Sequence, residues 1–97
     1  MRILSKSTLK RFWYHYPDSQ AQLEAWYEEV VKADWATPQE LKAQFGHASI
    51  LKNNRVVFNI KGNNYRLVVK INYLYRIIYV RFIGTHSQYD EIDVEML

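Results

Sequence analysis

The stretch RVVFNIKGNNYRLVVKINY, residues 55–73, decides the fold. Between residues 65 and 73 the odd positions are all apolar, whereas Arg66, Lys70 and Asn72 occupy even positions. This alternation predicts a β-strand that has one core-facing and one polar side. KGNN at 61–64 predicts a hairpin turn before that strand, because Gly and Asn tolerate positive φ. The sequence therefore predicts an antiparallel hairpin.

A further strand follows the hairpin at residues 76–84, RIIYVRFIG. It is apolar at odd and even positions alike, which favours a central place in the sheet. Arg81 is the exception inside this apolar run. A charge there needs an anionic partner or a groove, since burying an unpaired charge is costly.

The first half of the chain has helical periodicity instead. A first helix is predicted to end at Pro17, after a short opening strand in MRILS. Capping boxes are predicted in SQAQ at 19–22 and TPQE at 37–40, where two further helices begin. Helices followed by a meander of strands predict one α+β domain over residues 1–97. The helices are expected to cover one face of the sheet and leave the other face exposed.

The charge distribution points to a polyanionic partner. The net charge is +3, but no acidic residue occurs between Glu40 and Asp90, where eight basic residues lie. Such a one-sided positive segment suits a nucleic acid. The alternative is a solvated sheet edge that lysines protect from aggregation. There is no cysteine, three histidines offer little for a metal site, and no apolar run reaches the ~20 residues of a membrane helix. We expect a cytoplasmic protein without cofactor or metal.

The segment GTHSQYD, residues 84–90, suggests chemistry. Thr85 and Gln88 form a predicted capping box, which places His86 in the first turn of a short helix and Tyr89 on the same face. A helix N-terminus favours anions and the neutral form of a nearby imidazole, which can then act as a general base. In the competing interpretation His86 merely packs at a helix start, and Asp90 pairs with an arginine.

RNA cleavage needs few groups, because the 2′-hydroxyl of the substrate is already the nucleophile. A protein must move two protons and stabilise negative charge at phosphorus. We predict His86 as general base or acid, Tyr89 as its partner or as a stacking group, and two arginines as phosphate clamps. These are Arg66 and Arg81. The predicted RNA-positioning residues are Asn59, Lys61, Asn63 and Lys70. The two asparagines would equally suit a bulge or a turn.

The motifs VVFNIKGNNYRLVVKINY and VRFIGTHSQYDEID, with WYEEVVKADWATPQELKAQF before them, resemble the HigB family of type II toxin–antitoxin toxins. The resemblance covers nearly the whole chain. It implies a RelE-like fold, with N-terminal helices packed on a twisted, mainly antiparallel sheet and a short C-terminal helix. It also implies an endonuclease that cuts mRNA, usually on the ribosome. A HigA-like antitoxin with a helix-turn-helix domain would neutralise the toxin and connect it to operator DNA.

Two other function classes remain open at this point. A non-catalytic RNA- or ribosome-binding module would use the same basic surface for phosphate contacts alone. A structural partner would use that surface to bind an acidic protein. His86 distinguishes the first alternative from a nuclease, because its loss would abolish cleavage and spare binding.

Overall fold

The structure, a computed structural model, describes residues 1–97 and contains one five-stranded sheet with helices on one face. In chain order the elements are β1 (Arg2–Leu4), α1 (Lys6–His15), α2 (Gln20–Val31), α3 (Pro38–Gln44), β2 (Ser49–Ile50), β3 (Arg55–Ile60), β4 (Tyr65–Asn72), β5 (Ile77–Thr85) and α4 (His86–Asp90), with 3₁₀ turns at Pro17–Ser19 and Val94–Met96. The sheet order is β1-β5-β4-β3-β2. The predicted α+β class and the short C-terminal helix are confirmed.

The hairpin between β3 and β4 forms as its sequence predicts. Lys61 and Gly62 both adopt positive φ, at 52° and 62°, and the Asn64 amide donates to the Lys61 carbonyl at 3.2 Å. The turn pairs the two strands in register from Ile60↔Tyr65 to Arg55↔Lys70. Because side chains alternate along a strand, this register fixes which residues share a face of the sheet.

Strand β5 is central, as its apolar sequence predicts. It pairs antiparallel with β4 on one side and parallel with β1 on the other, where Ile3 faces Ile78. Parallel pairing is confined to these few residues, so the sheet is mainly antiparallel. None of the helices combines the length and apolar character needed to span a bilayer.

The helical face of the sheet carries the core. Leu9 of α1, Leu23 and Val30 of α2, and Leu41 of α3 are fully buried against it. From the sheet, Leu67 and Ile78 are also fully inaccessible to solvent. Burial of each such side chain contributes roughly 1.5–3 kcal/mol, so this layer supplies most of the stabilisation.

Of the three predicted capping boxes, the one at Thr85 is complete, the one at Thr37 forms only its cap because the Glu40 carboxylate accepts the Ala36 amide, and the one at Ser19 is wrong. Thr37 and Thr85 accept hydrogen bonds from the amides three residues later. Ser19, in contrast, makes no cap, because its hydroxyl donates to the Tyr16 carbonyl at 2.7 Å. The Gln22 side chain, its expected partner, accepts the Lys61 amide instead. A tertiary contact thus replaces the local motif at the start of α2.

The face away from the helices is only partly exposed, which corrects the expectation of an open polar surface. Its centre is an apolar row in which Val57 pairs with Val68 and Val68 with Phe82, and both valines are buried. Residues 86–97 begin beside Asn64 and end at Arg55, whose Nε donates to a Leu97 main-chain oxygen at 2.8 Å. This segment covers the apolar row.

The apolar row separates two polar rows on the same face. One consists of Asn59, Arg66 and Gly84, and the other consists of Arg55, Lys70 and Tyr79. Arg66 and Lys70, one in each row, are four positions apart along β4, which is about 13 Å at the usual strand rise. The basic side chains that the sequence places in one segment therefore fall into two groups.

Candidate functional site

Helix α4 begins at the hairpin turn and displays His86 there. The Thr85 hydroxyl accepts the Gln88 amide at 3.1 Å, and the Gln88 side chain accepts the Thr85 amide at 2.9 Å. The His86 amide donates to the Asn64 carbonyl at 3.1 Å. These bonds hold the start of α4 against the turn, while 51% of the His86 side chain remains exposed. The main chain at His86 is therefore held in place, and its imidazole is accessible to a ligand.

The His86 ring has a carboxylate partner on its own helix. Nδ1 of His86 lies 2.9 Å from Oδ2 of Asp90, one helical turn later. A proton on Nδ1 is held by this contact, which leaves Nε2 as the nitrogen that faces away from the carboxylate. Asp90 pairs with the histidine and not with an arginine, so the competing sequence interpretation of Asp90 is wrong.

Arg66 lies beside the same turn. Its Nη1 donates to the Asn63 carbonyl at 3.0 Å, and the Tyr65 carbonyl lies 3.4 Å away. No protein group accepts a hydrogen bond from Nε or Nη2 of Arg66. The Arg66 guanidinium and the main chain of His86 are thus bound to neighbouring residues, Asn63 and Asn64, so one turn anchors both residues.

Gly84 allows this arrangement, since it faces Arg66 across the β4–β5 pair. A Cβ placed at Gly84 would lie 2.5 Å from Cζ of Phe82 and 2.7 Å from Oε1 of Gln88. A Cβ there would therefore require the Phe82 ring and the Gln88 side chain to shift. The missing side chain lets Gln88 reach back to close the capping box that positions His86.

The turn is fastened to the helical layer by Asp18, which follows α1. Asp18 accepts hydrogen bonds from the Tyr65 hydroxyl and from Lys61 Nζ, the latter at 2.9 Å. These two bonds lower the pKa of Asp18, and the bond to Asp18 raises the pKa of Tyr65 to about 12. Lys61, a predicted RNA-positioning residue, is therefore engaged in an exposed ion pair with Asp18 of the same chain.

A small cavity of about 370 Å³ opens beside the turn. It is lined by Asn59 and Asn63, which the sequence predicts as RNA-positioning residues, by Gly62 and by His47. His47, which is not among the predicted site residues, lies in the loop after α3 and is exposed. Only the long-range pairing of β2 with β3 brings this loop near the turn, and no local pattern signals it.

Arg81 lies apart from this cluster. It is the extra residue of a β-bulge, since Val68 pairs with Phe82 and Val69 with Val80. Its guanidinium stands 5.6 Å from the centre of the Tyr79 ring, and it lines a cavity of about 740 Å³ together with Lys70. The bulge explains how a charge fits within an apolar strand, because it turns the side chain to solvent.

Tyr89 lies on the covered face of the sheet. Its ring centre is 6.5 Å from that of Phe82, and the side chain is half-buried. The hydroxyl forms no hydrogen bond with another protein group. The structure therefore gives His86 a carboxylate partner, Asp90, and leaves the predicted pairing of His86 with Tyr89 unformed.

The positive segment is partly neutralised by acids from the helical half. Lys61 pairs with Asp18, and Nε of Arg76 lies 2.6 Å from Oδ1 of Asp34. Arg66 and Arg81 have no acidic partner. No group of three or more His, Cys, Asp or Glu side chains is arranged to hold a metal ion.

Comparison with known proteins decides the family. The family model described as HigB toxin, the RelE-like toxic component of a toxin–antitoxin system, matches residues 19–92. The chain belongs to the HigB toxin family. This confirms the resemblance drawn from the motifs, and with it the RelE-like fold. As a HigB-family toxin, the protein has an antitoxin as its partner.

Individual HigB relatives match along almost the whole chain. The mRNA interferase HigB of Escherichia coli O6:H1 (strain CFT073) is 29% identical over 94 residues, which is 95% of this chain and 91% of the relative. The mRNA interferase toxin HigB of Escherichia coli K12 is 29% identical over 92 residues, 93% of this chain and 88% of the relative. The mRNA interferase HigB of Shigella flexneri matches to the same extent.

Proposed function

We propose that this HigB-family toxin is an endoribonuclease that cleaves mRNA, without a metal ion, on translating ribosomes. The observation that carries the proposal is the turn at residues 61–64, which binds the Arg66 guanidinium through Asn63 and the amide of His86 through Asn64, while the imidazole of His86 is exposed. The names of the relatives, mRNA interferases, supply the substrate class.

The proposed reaction is attack of a ribose 2′-hydroxyl on the adjacent phosphorus. His86 Nε2 takes the hydroxyl proton or gives a proton to the departing 5′ oxygen, since Asp90 occupies Nδ1. Arg66 binds the non-bridging phosphate oxygens through Nε and Nη2. Its charge and paired donors stabilise the negative charge that develops at phosphorus, for which each such donor contributes ~10²–10³-fold.

The neighbouring groups would hold the RNA. Asn59, Asn63 and His47 line the cavity beside Arg66 and offer amide and imidazole groups to a base or a ribose. Tyr89 would stack on a base or orient His86 after a shift away from Phe82. Lys61 acts through Asp18 to fix the turn, so we assign it a supporting place and not a direct RNA contact.

The partners follow from the proposed activity. The antitoxin would be HigA-like, with a helix-turn-helix domain that carries any contact with operator DNA. The ribosome would present the message, and the protein would act in the cytoplasm. Expression from a tightly regulated promoter, with and without the antitoxin, followed by mapping of mRNA 5′ ends, tests this. New 5′ ends within coding regions, absent when the antitoxin is present, are the expected result.

The competing function is a non-catalytic module that blocks ribosomes through its basic surface. It predicts growth arrest and stalled ribosomes with intact messages. Unchanged 5′ ends during growth arrest would therefore reject the nuclease and support the module. An unchanged growth rate together with tight antitoxin binding would instead support a purely structural partner.

A further inference from the structure

The second polar row of the sheet forms a site that the proposed cleavage reaction does not use. Its cavity of about 740 Å³ lies where β3, β4 and β5 meet the loops at that end of the sheet. The polar and aromatic lining consists of Lys70, Arg81, Asn54, Asn72, Tyr73 and Tyr79. No acidic residue contributes to the lining. The Val57–Val68–Phe82 row, whose valines are buried, separates this cavity from Arg66.

The two cations in this cavity are available to a ligand. Lys70 and Arg81 form no salt bridge, although other basic residues such as Lys61 and Arg76 do. Arg81 owes its direction to the β-bulge and stands over Tyr79. A bulge at this position re-aims one side chain without breaking the strand, a device that is common at functional sites. The cavity thus joins two unpaired positive charges to an aromatic face.

We infer that this cavity is a second RNA subsite, which binds a nucleotide remote from the scissile bond. Lys70 and Arg81 would bind its phosphate, Tyr79 would stack on its base, and Asn54 would offer an amide for hydrogen bonds. Phosphate-binding cations combined with stacking aromatics are the standard composition of single-strand sites. The inference rests on the proposed function, because it takes the same RNA chain as the ligand.

The distance between the two rows sets the register of the RNA. About 13 Å separates the rows along β4. One nucleotide of a single strand spans about 3.4 Å or more, so the subsite would hold a nucleotide roughly two to four positions from the scissile bond. The subsite therefore contributes only to RNA long enough to reach both rows. A fragment limited to the two nucleotides at the scissile bond would not contact it.

Binding measurements with long and short RNA test the subsite. All variants carry His86→Ala, so that bound RNA stays intact, and fluorescence anisotropy reports affinity for a single strand of about 12 nucleotides and for a dinucleotide. Lys70→Gln with Arg81→Gln should weaken binding of the long strand about tenfold. The double change should also make its logarithmic salt dependence shallower by about 1.4. Dinucleotide binding should not change.

Two further variants sharpen the result. Tyr79→Leu should weaken binding of the long strand about fivefold or more, without a change in the salt slope. Lys32→Gln with Arg11→Gln removes the same charge from exposed positions, one just after α2 and one on α1, and should leave both affinities unchanged. Circular dichroism spectra and melting temperatures confirm that each variant is folded.

Unchanged binding of the long strand by the double variant would overturn the inference, and two further outcomes would overturn it and reassign the cavity. One is equal weakening of long and short RNA, which would place Lys70 and Arg81 at the scissile bond. Another is unchanged RNA binding with weakened antitoxin binding, which would make the cavity a protein-docking surface. Neither outcome would reject mRNA cleavage itself, since the proposed function stands or falls on the 5′ ends produced by the native protein.

Discussion

The Nδ1 atom of His86 and the Oδ2 atom of Asp90 lie 2.9 Å apart on one face of α4. This contact orients the imidazole and selects the nitrogen that meets the substrate. Asp90→Asn keeps the size of the side chain but allows its amide to donate to Nδ1, which favours the wrong tautomer. We expect cleavage to fall roughly 10–100-fold, part of the ~10²–10⁴-fold that a positioned acid or base contributes.

Single-turnover cleavage of a reporter message, with RNA binding measured in parallel, checks the Asp90 prediction. Glu91→Gln, the next residue, is the control, because its exposed side chain forms no hydrogen bond or ion pair. Native cleavage rates in Asp90→Asn would show that the carboxylate does not orient the catalytic ring.

Cleavage should need the paired hydrogen-bond donors of Arg66 and not only its positive charge. One nitrogen is committed to the Asn63 carbonyl, and the others are free for phosphate oxygens. Arg66→Lys keeps the charge but loses the paired geometry. We expect kcat to fall about 10²-fold with little change in KM, measured by cleavage kinetics. Arg11→Lys on exposed α1 should behave as native, and a pure KM effect at Arg66 would assign it to binding.

A side chain at Gly84 should destabilise the protein, because it would displace Phe82 and Gln88. Alanine there would push its Cβ into Phe82 and Gln88, which breaks the capping box of α4. Such overpacking typically costs about 1–3 kcal/mol, and each kcal/mol lowers the melting temperature of a domain this size by about 4–8 °C. Gly46→Ala is the matched control, since its Cβ would meet nothing within 4 Å. Equal melting temperatures for the two variants would contradict the steric account.

Asp18 should make stability depend on pH in the acid range. Hydrogen bonds from Tyr65 and Lys61 favour its carboxylate, so the folded pKa lies below the usual 3.8. A lowered pKa stabilises the fold fully above ~pH 5, and this contribution disappears as the pH falls through the folded pKa. Asp18→Asn should therefore melt below the native protein at neutral pH, and the difference should narrow under acid conditions.

Melting curves of native protein, Asp18→Asn and the exposed control Glu24→Gln between neutral pH and ~pH 3 test the linkage. A stability difference for Asp18→Asn that stays constant down to the lowest pH would show that the carboxylate is not stabilised by its two donors.

Local sequence patterns did not predict the two-residue strand β2, but they were sufficient for β1, β3, β4 and β5, for the 61–64 turn and for the cap at Thr85. Each of these depends on residues a few positions apart, whose side chains interact whatever the remaining fold. The box predicted at Ser19 was wrong for the complementary reason. The side chain of Gln22, the predicted partner of Ser19, instead accepts a hydrogen bond from the Lys61 amide, 39 residues later in the chain.

The composition of the candidate site was harder to predict, because it depends on strand register. The sequence places Arg66 and Arg81 in neighbouring strands, but the bulge and the pairing of Arg66 with Gly84 move them to different rows. His47 enters the site only through the pairing of β2 with β3. The pairing of Lys61 with Asp18 likewise crosses from the sheet to the helical layer. Periodicity carries no information about such contacts.

The most direct test of the account is to compare cleavage and binding in His86→Ala, with Ser87→Ala as the control at the adjacent exposed position. The account predicts a loss of message cleavage by roughly 10²–10⁴-fold or more, with RNA or ribosome affinity within a few-fold of native. Cleavage at the native rate, or RNA affinity that falls in parallel with cleavage, would contradict a role for His86 as general acid or base.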